Sequence, residues 1–136
     1  MNQPLSLNFS TDELEASQTA IRAGRPNTIP AHLLPNAKHL AQTILQPLRE
    51  YLMRPIHVTS GYRSARINSM VGGASSSEHL FKKGEGAVDF FIEGVDIYKV
   101  QDWCDKHWDF SLGYGAAKNF VHLGIRSGRP RVRWDY

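Results

Sequence analysis

The sequence is poor in cysteine and has no long apolar run. Its single cysteine, Cys104, cannot form a disulfide within the chain, which agrees with a reducing compartment, and we expect it to be a small buried core residue. No apolar run approaches the ~18 residues that a membrane-spanning helix needs, so we predict no membrane partner. The N-terminus has neither a basic head nor a long apolar stretch, and we therefore expect cytoplasmic synthesis without a signal peptide.

The net charge of the chain is also small. The 16 Lys and Arg residues against 13 Asp and Glu residues give a net charge of +3, with no run of five basic residues and no familiar nucleic-acid-binding motif. We therefore expect no nucleic-acid partner. Part of the excess lies in a C-terminal basic cluster, which is either a solvated strand edge or a site for an anionic polymer such as cell wall. This cluster consists of Arg126, Arg129, Arg131 and Arg133.

The sequence nevertheless carries enough apolar material for one core. Its 136 residues are 41% hydrophobic and contain neither internal repeats nor a low-complexity tract. A chain of this length fits one domain and hardly two, so we predict a single domain over residues 1–136. Nothing in the sequence indicates an obligate partner, and we expect a monomer.

Two helices are predicted in the N-terminal half. Ser10, followed three residues later by Glu13, forms a capping-box pattern that predicts a helix from there to about Ala23. A longer core helix is predicted from Pro35 to Met53, with a kink at Pro47, where a backbone donor is missing. Its apolar residues at helical spacing are Leu40, Ile44, Leu48, Tyr51 and Leu52.

The second half of the chain has mainly the pattern of strands. Strands are predicted over residues 55–62 and 87–92, and short strands separated by Gly-rich turns over residues 110–136. Helices are predicted over residues 64–71 and 96–107. Helices that come first and strands that come later predict an α+β fold, with the helices packed on a small antiparallel sheet.

Three polar residues stand out in apolar or tightly turned surroundings. His79 follows a Ser-rich loop, Asp89 lies on an apolar strand, and His122 lies on another one. A carboxylate on an apolar strand needs a polar partner. Two imidazoles and one carboxylate would give zinc three protein ligands and leave a fourth position for water, as a hydrolytic site requires. From the residues alone, structural roles for the two histidines stay open.

Arg63 is a further candidate for a functional role. It follows a predicted strand, at a turn that would project its side chain. A guanidinium there is suited to bind a substrate carboxylate through two parallel hydrogen bonds, or to stabilise an oxyanion. A surface arginine in a turn is the alternative.

Several of these motifs, in this order, resemble the zinc D-Ala-D-Ala carboxypeptidase family. That family includes the vancomycin-resistance dipeptidases and many phage endolysin peptidases, and it shares its fold with the hedgehog signalling domain. The resemblance begins near Phe9 and covers nearly the whole chain, and the tail is similar to a subgroup with a short, Gly-rich final hairpin. The matching segments are residues 9–14, 44–49, 59–64, 71–73, 77–79, 86–89 and 113–134, together with Asn68.

The resemblance implies a zinc peptidase that acts on peptidoglycan peptides. By resemblance, His79, Asp89 and His122 are the zinc ligands. Arg63 corresponds to the family's arginine that binds the substrate and the transition state. Ser77 corresponds to a serine that lines the substrate site.

The sequence departs from the family pattern at two places. The interval between His79 and Asp89 is three residues longer than usual, and we expect a longer hairpin turn within residues 81–86 to absorb it. No carboxylate lies among residues 112–121, where many members carry a general base, and Gly124 stands where the subgroup with the similar tail often has Asp. Asn119, which lies within residues 112–121, cannot take a proton from water. The remaining candidates for the base are Glu93, Asp109 and Asp135.

These observations leave two main functions open. The first is a zinc peptidase that cleaves peptidoglycan stem or cross-link peptides, as a carboxypeptidase or an endopeptidase. It would reach the wall after phage or prophage lysis or as a virion component, and the C-terminal basic cluster would attach it there. The second is a non-catalytic wall-binding or virion module that keeps zinc for stability and has lost its general base. A third possibility is that zinc is absent and the three polar residues are structural.

Overall fold

The computed structural model describes residues 2–82, 85–126 and 131–136. Within these ranges the fold is α+β, as predicted, with helices packed on one five-stranded sheet. Lys83 and Gly84 of the expected turn, and Arg129 of the C-terminal basic cluster, lie outside the described residues. The helices are α1 (Thr11–Leu14), α2 (Gln18–Ala23), α3 (Leu34–Leu40), α4 (Gln46–Leu52), α5 (Ala65–Met70) and α6 (Ile97–His107). The strands are β1 (His57–Ser60), β2 (Gly86–Phe91), β3 (Ser111–Tyr114), β4 (Val121–Ile125) and β5 (Val132–Asp135).

The first predicted helix is in fact two short helices, α1 and α2. The Ser10 side chain makes no capping hydrogen bond, and α1 ends at Leu14. Ser17 then caps α2, because its hydroxyl accepts a hydrogen bond from the amide of Ala20 at 3.1 Å. In a continuous helix that amide would donate to a backbone carbonyl, so the Ser17 cap divides the helix in two. Helix α2 ends at Gly24, whose φ of 62° lies in the left-handed region.

The predicted core helix spans α3 and α4, which a π-helical turn over Ala41–Leu45 joins. This wider turn lies directly before Pro47, so the helix accommodates the proline ring and its missing donor by widening. Tyr51 is 64% exposed and its ring stacks on Trp103 at the surface, so the expectation that it lies in the core was wrong. The buried residues of the predicted apolar face are Leu40, Ile44 and Leu48, with Leu52 packed against them.

The sheet has the strand order β1-β2-β4-β3-β5. Neighbouring strands are antiparallel except β3 and β5, which are parallel. The Gly-rich tail therefore folds only in part as an antiparallel hairpin, made by β3 and β4. Both edges of β4 are already paired, with β2 and β3, so the last strand adds to the free edge of β3.

The hydrophobic core combines the longer helices with the central strands of the sheet. Val88 on β2 and Leu123 on β4 are fully buried in it, together with Trp108 just after α6. Cys104 is fully buried, as predicted, and burial raises the pKa of its thiol. Within the described ranges, no helix has the length and apolar character needed to cross a membrane.

Two arginines of the C-terminal basic cluster are held by protein groups. Arg133 donates to Asp105 and to backbone carbonyls near the end of α6, which attaches β5 to that helix. Arg126 forms an ion pair with Glu78, at 3.2 Å. The interpretation of a solvated strand edge is therefore wrong for these two residues. Arg131 also contacts Asp105, at 3.6 Å, and donates to the Trp108 carbonyl at 3.4 Å, but its side chain is 56% exposed and is the closest to a solvated strand edge among the described members of the cluster.

Candidate metal centre

Asp89 and His122 lie opposite each other on the central strands β2 and β4. Since side chains alternate along a strand and the apolar neighbours face the core, these two polar side chains lie together on the other face of the sheet. His79 reaches the same place from a short 3-10 turn over Glu78–Leu80. His79 therefore lies on a helical turn and not on a strand, so the expectation of a hairpin between His79 and Asp89 was wrong.

The metal-binding atoms of the three predicted ligands converge. One ring nitrogen of each histidine and one carboxylate oxygen of Asp89 lie within 4.8 Å of one another. Asp89 Oδ1 is 2.7 Å from His122 Nδ1 and 3.4 Å from His79 Nε2. The structure thus brings together two imidazoles and a carboxylate, a donor set that suits zinc.

The second ring nitrogen of each histidine has an acceptor of its own. His79 Nδ1 lies 2.8 Å from the carbonyl oxygen of Gly61, which leaves Nε2 for a metal. His122 Nε2 lies 2.7 Å from Glu78 Oε1, which leaves Nδ1 for a metal. A metal-binding histidine almost always donates its other N–H to a carbonyl or a carboxylate. The site therefore fits zinc in ring orientation as well as in residue type.

The acceptor for His79 is fixed by close backbone packing. A Cβ at Gly61 would collide with the carbonyl oxygen of Leu14, and that oxygen accepts a hydrogen bond from the Tyr62 amide at 2.6 Å. Only glycine allows the end of β1 to approach α1 so closely. This contact determines where the Gly61 carbonyl meets the His79 ring.

The hydrogen bonds within the site shift the charges of its groups. Burial acts to raise the pKa of Asp89, but hydrogen bonds with His122 and His79 outweigh it and hold that pKa far below its usual range. Burial acts to lower the pKa of His122, but its bonds to Asp89 and Glu78 raise that pKa to about 9. A metal that binds Nδ1 of His122 competes with this proton, so acidic solution opposes binding.

Glu78 is a buried carboxylate at the site that the sequence did not single out. It is 3% exposed, and its Oε2 accepts hydrogen bonds from Ser111 Oγ at 2.5 Å and from Arg126 Nε at 3.2 Å. A Cβ at Gly124 would lie 2.7 Å from Glu78 Cδ, so the Glu78 carboxylate fills the space beside residue 124. The resemblance leads us to expect a carboxylate on residue 124, and here a different segment places one beside it.

Arg63 and Ser77 line the same cavity of about 360 Å³ as the three metal-ligand candidates. Arg63 Nε donates to Ser60 Oγ at 3.3 Å, and Nη1 donates to Asn68 Oδ1 at 3.1 Å. These bonds hold the guanidinium at the cavity, so Arg63 is not a free surface side chain. Ser77 Oγ accepts a hydrogen bond from the His79 amide at 3.2 Å and so caps the turn that carries this histidine.

The last strand adds an aromatic wall that the sequence did not predict. Trp134 and Tyr136 line the cavity, and the Trp134 ring lies 5.0 Å from the ring of His122. Burial and the nearby Asp89 raise the pKa of Tyr136 to about 12, so its phenol keeps its proton at neutral pH. Both residues reach the site because β5 pairs with β3, a long-range pairing that no local pattern indicates.

The three carboxylates named as general-base candidates are not at the site. Glu93, Asp109 and Asp135 are exposed, and none of them lines the cavity. Among the described residues, the carboxylates that line it are Asp89 and Glu78. Asp89 belongs to the candidate ligand set and Glu78 is held by three donors, so the described residues provide no free carboxylate there.

Comparison with known proteins gives one family and several relatives. The Peptidase M15 family model matches residues 7–124, which is most of the chain. The probable peptidoglycan L,D-endopeptidase MepK of Haemophilus influenzae is 38% identical over 73 residues, which are 50% of this chain and 38% of that protein. The peptidoglycan L,D-endopeptidase MepK of Escherichia coli K12 is 32% identical over 81 residues, which are 56% of this chain and 43% of that protein. The chain thus spans less than half the length of these relatives, and by its family match it is a member of the peptidase M15 family.

Proposed function

We propose that this protein is a zinc-dependent peptidase that hydrolyses peptide bonds of peptidoglycan. The observation that carries the proposal is the convergence of His79, Asp89 and His122 in one cavity with Arg63, in a member of the peptidase M15 family. The names of the relatives supply the substrate class, since one is a peptidoglycan L,D-endopeptidase and the other a probable one. Of the two types predicted from the sequence, carboxypeptidase and endopeptidase, these names favour an endopeptidase.

The chemistry of such a site follows from its donor set. Zinc held by two imidazoles and one carboxylate lowers the pKa of a bound water to ~7 and polarises the scissile carbonyl. Arg63 binds a carboxylate of the peptide or the oxygen on which negative charge develops. Because Ser60 and Asn68 already hold its guanidinium, this interaction needs little rearrangement during the reaction. Tyr136 Oη carries a proton at neutral pH and can donate a hydrogen bond within the same cavity.

One observation favours a second function, a non-catalytic module in which zinc only stabilises the fold. The described residues that line the cavity include no free carboxylate, and a peptidase of this kind needs a group that accepts the proton of the attacking water. Release to the wall at lysis, a place in a virion, attachment through the C-terminal basic cluster and a monomeric state all remain predictions from the sequence.

The two functions are separated by digestion of isolated peptidoglycan. We would incubate the zinc-loaded protein with purified sacculi and identify the released fragments by mass spectrometry. Asp89→Ala removes a ligand candidate, and Asp109→Ala removes an exposed carboxylate outside the cavity as a matched control. We expect peptide fragments from the wild type and from Asp109→Ala, and none from Asp89→Ala.

The termini of the released fragments identify the bond that is cleaved. Cleavage between an L- and a D-residue supports the endopeptidase, and release of a terminal D-Ala supports the carboxypeptidase. A protein that holds stoichiometric zinc and releases no fragment would contradict the peptidase and support the non-catalytic module.

A further inference from the structure

We propose that Glu78 is a positioning residue that orients His122 for metal binding, in place of a carboxylate on β4 itself. The proposal rests on the metal site of the proposed function. Glu78 Oε1 and His122 Nε2 lie 2.7 Å apart, and both side chains are 4% exposed. A buried imidazole N–H without an acceptor would be costly, so this bond holds the ring in place and keeps the Nε2 proton directed at Glu78.

The bond to Glu78 determines which nitrogen of His122 faces the metal position. Because Glu78 accepts the proton of Nε2, the nitrogen left for a metal is Nδ1, and a bound metal would displace the proton that Nδ1 donates to Asp89 Oδ1 2.7 Å away. A charged acceptor also makes the imidazole more basic and thus a better ligand. Glu78 therefore acts on the metal through His122 and not by direct contact.

Glu78 is itself held in a way that suits positioning rather than proton transfer. Its Oε2 accepts hydrogen bonds from Ser111 on β3 and from Arg126 just after β4, while Oε1 accepts from His122. Both carboxylate oxygens are thus engaged by donors that hold them in place. Glu78 also precedes His79 on the same short turn, so one turn supplies one ligand candidate and orients another.

Gly124 and Glu78 are complementary in space. Residues 122 and 124 lie on the same face of β4, so a side chain at residue 124 would extend into the region beside the His122 ring. That region holds the Glu78 carboxylate, and an added Cβ at residue 124 would lie only 2.7 Å from Glu78 Cδ. A carboxylate can therefore come from residue 78 or from residue 124, but not from both at once. A side chain at residue 124 also requires a small shift of β2, because its Cβ would lie 3.0 Å from the Gly86 carbonyl oxygen.

This complementarity provides the test. We would measure zinc affinity by competition with a chelating dye, and the visible spectrum of the cobalt-substituted protein, which reports ligand geometry. Glu78→Ala removes the acceptor, and Glu78→Gln keeps its size but removes its charge. Glu78→Ala combined with Gly124→Asp moves the carboxylate to β4. Glu93→Gln changes an exposed glutamate outside the cavity and is the matched control.

The two Glu78 variants should lower zinc affinity to different extents. Loss of a hydrogen-bond partner of a metal-binding histidine lowers metal affinity ~10–100-fold, so we expect Glu78→Ala near the upper end and Glu78→Gln near the lower end. Both should alter the cobalt spectrum, and the double variant should regain about tenfold or more in affinity together with the wild-type spectrum. Glu93→Gln should behave as the wild type. A purely structural role would lower the unfolding temperature without moving either metal readout.

Several results would overturn the proposal. Folded Glu78 variants that keep the zinc affinity and the cobalt spectrum of the wild type would overturn it. If Glu78→Ala does not fold, these two measurements on Glu78→Gln decide whether Glu78 is a positioning residue. A folded double variant that regains no affinity would also count against it. Lost peptidase activity with unchanged zinc affinity would make Glu78 a proton-transfer group instead. A wild-type protein that binds no zinc would overturn the proposed function as well, so the two failures are distinguishable.

Discussion

At the residue scale, the side chains of the site are held in place by other protein groups. Each histidine of the candidate metal centre has an acceptor for its second ring nitrogen, Gly61 for His79 and Glu78 for His122. Arg63 is held through two of its nitrogens by Ser60 and Asn68. Preorganised groups of this kind stabilise developing charge most effectively, because they need not reorganise when it appears.

Replacement of Arg63 by lysine tests this preorganisation. Lysine keeps the charge, but it is a point donor that cannot contact Ser60, Asn68 and a substrate oxygen at once. We expect Arg63→Lys to lower kcat/KM by about 10²–10³, as loss of an oxyanion-binding donor does, with zinc affinity unchanged. The rate of fragment release from peptidoglycan and a zinc titration measure the two quantities.

The matched control for this variant is Arg66→Lys. Arg66 is exposed on α5 and does not line the cavity, so its replacement should change neither quantity. If Arg63→Lys kept full activity, Arg63 would have no role in substrate or transition-state binding.

Residue patterns predicted part of this site and missed the rest for a physical reason. Asp89 and His122 were recognisable because each is a polar residue on an otherwise apolar strand. Glu78 follows a Ser-rich loop, where a carboxylate is usually exposed, and its burial depends on long-range contacts with β3 and β4. The available signal was a carboxylate directly before His79 together with glycine at residue 124, where the resemblance leads us to expect Asp.

At the element scale, the last strand is joined to α6 by a polar contact. Arg133 on β5 donates to Asp105 on α6, and the Tyr114 hydroxyl donates to the same carboxylate at 3.1 Å. This contact holds the strand that carries Trp134 and Tyr136 to the cavity. The stability of the cavity wall therefore depends on an ion pair remote from the metal ligands.

Replacement of Asp105 by asparagine gives a prediction with a definite pH dependence. Burial acts to raise the pKa of Asp105, but hydrogen bonds from Arg133 and Tyr114 outweigh it and lower that pKa. Because this pKa is lower in the folded state than the ~3.9 of the unfolded chain, the ionised carboxylate stabilises the fold at any pH above ~3.9. That stabilisation is lost as the pH falls through the pKa of the folded state. We expect Asp105→Asn to lower the free energy of unfolding by about 1 kcal/mol at pH 7, since the contact is partly exposed.

Thermal unfolding measures this effect. In a domain of this size, 1 kcal/mol corresponds to a shift in Tm of ~4 °C, and the difference from wild type should shrink as the pH is lowered from 7 toward 3. Asp102→Asn, at an exposed position on the same helix, is the control and should leave Tm unchanged. A difference that is the same at pH 7 and near pH 3 would show that Asp105 does not act through its charge.

Element boundaries were predictable where local signals decide them and not elsewhere. The helix predicted over residues 96–107 is α6, Ile97–His107, and the Asp96 side chain caps it. The division of the first helix at Ser17 and the π-helical turn before Pro47 depend on which local hydrogen bonds form. The order of the strands and the parallel pairing of β5 depend on contacts far apart in the sequence, so an α+β pattern could not indicate them.

At the scale of the whole molecule, the candidate metal centre brings together distant parts of one chain. His79 lies on a turn, Asp89 on β2 and His122 on β4, and the other faces of the two strands pack on the hydrophobic core. A metal bound by all three would connect the turn to the middle of the sheet, and any ligand that binds only the folded state stabilises it. The same cavity contains Arg63, so metal and substrate would meet on the face of the sheet opposite the hydrophobic core.

We expect these three residues to form a zinc site in which His122 binds through Nδ1. Anomalous diffraction at the zinc edge, from crystals grown with stoichiometric zinc, tests it most directly. We expect one strong peak in the cavity, about 2.0–2.2 Å from His79 Nε2, His122 Nδ1 and a carboxylate oxygen of Asp89, with Glu78 still bonded to His122 Nε2. A cavity without a peak, or a zinc ion bound through Nε2 of His122, would contradict it.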